Sequence, residues 1–261
     1  MTLTPRTTSL VAVIGALLTA GCADVDEGAD PSVEDGSYWG VSSINGLRAI
    51  NGLTSTNGLR AINGLRAING LRSNDGLASG IGLMTTPAGR DTVAYLVKCA
   101  LPATRSITKQ DEAGVSYTFA GQFGFAPEWD TNACGTKCQE YVSACLMAHV
   151  NTAGVSIPIW LTAAAVNIGW GRSASYSHQE GSFFGNLFPS PPRAYYCNGK
   201  DFAVSVVPGR LGASQPDAPY ANPFPGNGYC ADVCVGLPAP NTGNGYASCA
   251  GYVNLVTVWR P

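Results

Sequence analysis

The chain reads as a mainly β, α+β protein: a disulfide-stapled, β-rich domain with one main amphipathic helix, preceded by a short segment of six-residue repeats. Three observations carry that expectation. Eight of the nine cysteines (Cys99, Cys134, Cys138, Cys145, Cys197, Cys230, Cys234 and Cys249) fall after position 98, an even set of the kind that staples exported domains. Runs rich in Val, Ile, Tyr and Phe are separated by Gly/Pro/Asn clusters, as short strands joined by turns require. Asn-Gly-Leu, with Asp for Asn in the last copy, recurs every six residues from Asn45 to Leu77.

The ninth cysteine sets the expected compartment. Arg6 is the only charge before Asp24, an apolar stretch runs from Leu10 to Leu18, and Thr19-Ala20-Gly21-Cys22 follows. A positive start, a short apolar core and a small-residue site describe a secretory signal over residues 1–21, too short to span a bilayer as a stop-transfer helix. The ending resembles the bacterial lipoprotein signal, in which the cysteine after Ala-Gly is acylated and becomes the first mature residue. Thr19 departs from that pattern, which usually has an aliphatic residue there. The resemblance implies lipidation at Cys22 and stable membrane attachment, because two or more acyl chains anchor firmly. Ala23 rather than Asp after the cysteine implies the outer membrane. Ordinary cleavage, with Cys22 a bystander thiol, is the alternative.

Composition agrees with export. Charged residues are 12% of the chain, about half the usual share. The net charge of −2 argues against a nucleic-acid partner, which would need a clustered basic face.

Residues 22–43 carry Asp24, Asp26, Glu27, Asp30, Glu34 and Asp35 with no basic residue, so they read as an acidic disordered tether. Residues 44–83 hold the repeat. Ile50, Ile62 and Ile68 fall midway between leucines, and a three-residue apolar step drifts around a helix without forming a fixed stripe. A short β-solenoid and a partly extended stalk both suit the period; in either form the segment reads as a spacer bearing Arg48, Arg60, Arg66 and Arg72.

Residues 84–261 form the expected cysteine-rich globular domain, long enough for one core. A helix is predicted over 132–151, because Cys138, Val142, Cys145, Leu146 and His149 keep a 3–4 spacing. Asn132 is its expected N-cap, and Gly154 lies past its end. Strands are predicted at Val93–Leu101, Gly114–Phe119, Val155–Leu161, Phe202–Val207 and Tyr252–Trp259. The long loop Pro208–Asn227 is expected to be pinned by Cys230 and Cys234.

Several groups have chemistry to offer. Cys134-Gly135-Thr136-Lys137-Cys138 opens the predicted helix, where a thiol is acidified by the dipole and by Lys137; His149 or His178 would serve it as base. A disulfide is the competing and preferred assignment, since a free nucleophile would leave seven cysteines. The twin Cys134-x3-Cys138 and Cys230-x3-Cys234 spacing also permits a zinc site, with disulfides again preferred in an oxidising compartment. No metal or other cofactor is expected. Glu128, Asp130 and Glu180 could pair for glycoside hydrolysis, which needs two close carboxyl groups. Tyr195, Tyr196, Tyr220, Phe224, Tyr229 and Tyr246 sit in loop-rich sequence and could stack on sugar rings.

The repeat and the runs Tyr95-Leu96-Val97-Lys98-Cys99-Ala100-Leu101-Pro102 and Cys138-Gln139-Glu140-Tyr141-Val142-Ser143-Ala144-Cys145 resemble uncharacterised bacterial surface lipoproteins that join Asn-Gly-Leu repeats to a cysteine-rich domain. That resemblance implies no catalytic residue. The expected function is a membrane-anchored exported module that binds polysaccharide or another envelope component or supports envelope structure; the alternative is a cell-wall or polysaccharide hydrolase.

Overall fold

The computed structural model describes residues 41–45, 47–48, 70–73, 77–79, 82–151, 157–202 and 226–261. The chain divides into Met1–Gly36, which lies wholly outside the described residues, and Ser37–Pro261. The signal, Cys22, most of the tether and the centre of the repeat therefore fall outside the described residues, as do Gly154, Tyr220 and Phe224.

The second unit centres on a six-stranded sheet. Its strands are β1 (Val41–Asn45), β6 (Ile157–Thr162), β7 (His178–Asn186), β8 (Arg193–Asn198), β9 (Gly226–Tyr229) and β12 (Val256–Arg260), in spatial order β1-β6-β12-β7-β8-β9. Neighbours are antiparallel except β8 and β9, which run parallel. The C-terminal strand β12 thus sits inside the sheet, and all five of its residues are buried. Shorter pairs are β2 (Leu47–Arg48) with β5 (Val150–Asn151), β3 (Ser106–Gln110) with β4 (Ser116–Ala120), and β10 (Cys234–Gly236) with β11 (Tyr246–Cys249).

Strand alternation gives the sheet two apolar faces. Ile159, Leu161, Phe183, Val256 and Val258 join the main core with two long helices, α1 (Pro87–Ala100) and α2 (Thr136–His149). The neighbours Phe184, Cys197 and Leu255 join a smaller cluster with Cys230 and Cys249. Polar groups on the central strands are paired with each other: Ser182 Oγ and Thr257 Oγ1 lie 2.8 Å apart, and Trp259 Nε1–H donates to Thr162 Oγ1 at 3.1 Å. Gly245 has φ +155°, and a Cβ there would press on the Trp170 ring and Thr257, so the hairpin region approaches this face where only glycine fits.

The predicted strand Val93–Leu101 is a helix. Thr86 caps α1, its Oγ1 accepting from the Gly89 N–H at 3.0 Å, and Pro87 occupies the first turn, an arrangement that favours helix starts. Val93, Leu96, Val97 and Ala100 are fully buried, a helical stripe that a run of Val, Ala, Tyr and Leu disguises as a strand. The domain therefore has two long helices where one was expected, plus the short α3 (Cys230–Val233). The predicted helix 132–151 is present as Thr136–His149, with Gly135 rather than Asn132 at its N-cap. Every residue from Tyr141 to Val150 is buried, which makes α2 the central helix of the core rather than a surface one.

Three other predicted strands overlap observed ones: Gly114–Phe119 with β4, Val155–Leu161 with β6 and Tyr252–Trp259 with β12, residues 155 and 156 lying outside the described set. Phe202 lies in a turn after β8; residues 203–207 are outside the described set. The β-rich, α+β class holds.

All eight domain cysteines pair: Cys99 with Cys145, Cys134 with Cys138, Cys197 with Cys230 and Cys234 with Cys249. The first ties α1 to α2. The second closes the first turn of α2. The last two fasten β8, α3, β10 and β11 together at Cys230 and Cys234; the predicted loop Pro208–Asn227 lies almost wholly outside the described residues.

The described parts of the repeat belong to this domain. β1 pairs with β6, and Leu47–Arg48 pairs in parallel with Val150–Asn151. Leu71, Leu77 and Leu83, spaced six apart, are each 1% exposed within the core.

Candidate functional site

None of the sequence-predicted catalytic constellations assembles among the described residues. Cys134 and Cys138 bond to each other, so neither is an exposed nucleophile at the helix start. His149 lies fully buried beside Cys145, itself bonded to Cys99, and stacks near Tyr95 and Phe123. Its Nδ1 is 2.8 Å from the Cys145 carbonyl oxygen and 3.8 Å from Cys145 Sγ. A carbonyl only accepts, so Nδ1 carries the proton and donates it there. His178 begins β7, half-buried, opposite Arg260.

The twin cysteine pairs do not converge on one site. Cys230 and Cys234 do lie close to Cys197, with 3.5 Å between the Cys197 and Cys234 sulfurs, but each sulfur is tied up in a disulfide and offers no thiolate to a metal.

The three candidate carboxylates have three different settings. Asp130 is held by Arg72 (Nε to Oδ1, 2.7 Å) and Arg105 (3.6 Å to Oδ2). Glu180 is 1% exposed and faces the Arg260 guanidinium at 3.3 Å, with Arg260 only 3% exposed. Glu128 alone is exposed. It rims a shallow groove of about 190 Å³ lined also by Phe125, Lys137, Tyr141 and Asn167. Phe125 and Tyr141 stack as its floor, ring centroids 5.5 Å apart and 26° from parallel. Asn167 braces the rim by donating from Nδ2 to the Gly124 carbonyl at 2.8 Å.

Burial, and secondarily the Glu140 carboxylate, pushes the Tyr141 phenol up to about 12. An unfolded tyrosine ionises near 10, so between those values the folded chain holds a proton the unfolded chain has lost, and stability falls as pH rises. In an alkaline titration followed at 295 nm, Tyr141→Phe is expected to remove a late-ionising tyrosine and to flatten the loss of stability above pH 10. Loss instead of a tyrosine that ionises near 10, with the late-ionising component retained, would place Tyr141 in solvent.

A second feature shares the first turns of α2. Tyr195 on β8 and Tyr252 after β11 are both half-buried and flank the fully buried Phe184, with ring centroids 6.0 Å and 5.9 Å from it and 6.4 Å from each other. Burial, then the neighbouring Tyr195 phenol, raises the Tyr252 ionisation, while the guanidinium of Arg193 lowers it. Arg193 is exposed, and Asn254 Nδ2 donates to Glu140 Oε2 at 2.7 Å. Two adjoining half-buried tyrosines, their ring planes 48° apart, are thus bordered by a cation, a carboxylate and an amide.

The sequence pointed to Tyr195 but not to Tyr252, which it placed in a strand. Of the other predicted aromatics among the described residues, Tyr246 packs on the same small cluster as Tyr195 and Tyr252 and donates to Gln179 Oε1 at 3.0 Å, Tyr196 packs on the main core with Phe183, and Tyr229, 52% exposed, meets Phe202 edge-on.

Fold and site together define a class: an α+β domain with a six-stranded sheet, four disulfides and a pair of adjoining tyrosines. Comparison with protein-family models, with curated proteins and with solved structures finds no match to this chain. Among the described residues no helix is long and apolar enough to cross a membrane.

Proposed function

We propose that this chain is an exported protein, held at the membrane by lipid on Cys22, whose disulfide-stapled domain binds an envelope polysaccharide on the Tyr195–Tyr252 platform. The observation that carries export is the pairing of all eight domain cysteines. Disulfides persist in oxidising compartments, and this pairing leaves Cys22 as the one cysteine of nine without a partner in the domain. A cysteine at the end of a short apolar run, after Ala20-Gly21, then has lipidation as its chemistry. Outer-membrane placement follows from Ala23 under the sorting rule stated above.

Binding is favoured over hydrolysis by the settings of the acids. Asp130 and Glu180 are each occupied by arginine, so of the three candidate acids Glu128 alone is not held in a described ion pair. The platform asks only for contact.

One experiment with two readouts tests this. Cells expressing the chain are fed an alkyne-tagged palmitate and fractionated, and the extracted protein is co-sedimented with insoluble cell-wall polysaccharide. Label and membrane recovery that vanish in Cys22→Ala, with co-sedimentation weakened about tenfold in Tyr252→Ala, is the expected result, given that an aromatic stacking contact contributes about 1 kcal/mol or more. Unlabelled, soluble native protein would refute the anchor. Equal co-sedimentation of native and Tyr252→Ala protein would refute the platform.

A further inference from the structure

One unit of the repeat is held by the domain as a ligand is held. The Leu71 N–H donates to the Trp129 carbonyl at 2.8 Å and the Arg72 N–H to the Asp130 carbonyl at 3.2 Å. A Cβ on Gly70 would strike the backbone of Thr131, so glycine is required for the approach. Leu71 is 1% exposed in the core. The Arg72 guanidinium grips Asp130 with Nε on Oδ1 at 2.7 Å and NH2 on Oδ2 at 3.2 Å, and donates to the Ser106 carbonyl at 3.3 Å. Lys109, buried on β3, closes the arrangement by donating from Nζ to the carbonyls of Arg72 (2.9 Å) and Ser73 (2.6 Å).

Each position is therefore read by a different physical test: glycine by lack of space, leucine by burial, arginine by a two-point carboxylate contact. The backbone contacts from Lys109, Trp129 and Asp130 are indifferent to sequence. The same Gly-Leu-Arg occurs at residues 46–48, 58–60 and 64–66, so each chain carries four copies of the sequence that this one site holds. Leu47 and Arg48 have a separate place, paired with Val150 and Asn151. The copies at 58–60 and 64–66 satisfy every test the site applies.

We propose that the ledge formed by Trp129, Asp130, Thr131 and Lys109 is a receptor for Gly-Leu-Arg, and that it accepts this sequence from a second copy of the chain in exchange for its own. A single site with surplus matching ligands on the same chain links molecules rather than merely closing one. The chain's own segment competes at a high effective concentration, so exchange grows with protein density and is greatest where many copies are gathered.

The test uses the full chain and a fluorescent peptide, Ala-Ile-Asn-Gly-Leu-Arg-Ala-Ile, the sequence of residues 61–68. Fluorescence polarisation is expected to show saturable binding, about tenfold weaker for peptides carrying Leu65→Ala or Arg66→Ala, the loss that removal of one such contact produces. Sedimentation velocity of the native chain is expected to show self-association that grows with concentration and is reversed by the native peptide alone. The chain variant Asp130→Asn should weaken peptide binding while still melting cooperatively; should it fail to fold, the peptide variants carry the comparison by themselves. Equal binding of all three peptides, or none at millimolar peptide, overturns the receptor. A native chain that stays monomeric at every concentration while binding peptide overturns the second copy as its occupant.

Discussion

Glu180→Ala is expected to lower the unfolding free energy by about 3–5 kcal/mol, the cost of leaving one buried charge without its partner. Arg260 is 3% exposed, faces Glu180 at 3.3 Å, and sits on the central strand β12. Arg260 also donates from NH2 to the Phe202 carbonyl at 3.3 Å, a dipole that does not replace a full negative charge. Urea denaturation measures this as a lower midpoint at unchanged slope. The double variant Glu180→Leu with Arg260→Met should recover much of the loss, because a hydrophobic replacement of both ions is often neutral. A loss under about 1 kcal/mol in the single variant would mean that water reaches the pair, as at exposed salt bridges. The same substitution bears on the hydrolase reading: a structural Glu180 costs stability, whereas a catalytic one would cost turnover in a chain that melts normally.

Leu71→Ala should cost about 2–5 kcal/mol, the range for emptying a buried leucine site. The residue lies in the repeat, and a leucine in a solvated spacer would lose almost nothing on truncation. At 1% exposure, beside backbone bonds to Trp129 and Asp130, it behaves instead as a core side chain. Thermal or urea unfolding of the variant separates the two cases, and a change within 0.5 kcal/mol, typical of surface positions, would return the segment to spacer status. Because Gly70 and Arg72 flank it in the docked unit, the variant also weakens the grip on the repeat.

How much of this was legible beforehand depended on how local each signal is. The helix α2 could be read because its apolar spacing and its end signals all lie within its own residues. Its neighbour α1 was misread although Thr86-Pro87 announces a helix start; the β-branched and aromatic run Val93–Val97 outweighed a cap that carries a smaller but more specific signal. Strand β7 was invisible because it is buried along most of its length and contains Gly181 and Gly185, so it shows neither alternation nor a β-branched run. The platform was half legible: Tyr195 stood out in loop-rich sequence, while Tyr252, 57 residues further on, comes within 6.4 Å of it only in the folded chain.

The cysteine inventory, the central helix, the β-rich class and the six-residue period are all readable from the residues alone, since each is a matter of composition or of spacing within a dozen residues. Only the tertiary structure decided which cysteines bond, which acids are taken by arginine, and that the end of the repeat belongs to the core. Eight cysteines admit 105 pairings, and an Asp or Glu looks the same whether its arginine is absent or, like Arg72 before Asp130, arrives from 58 residues away. The repeat shows the same division most plainly. Its units carry near-identical residues, so the burial of Leu71 is set not by its own chemistry but by the ledge of Trp129, Asp130 and Lys109 that the fold sets against it.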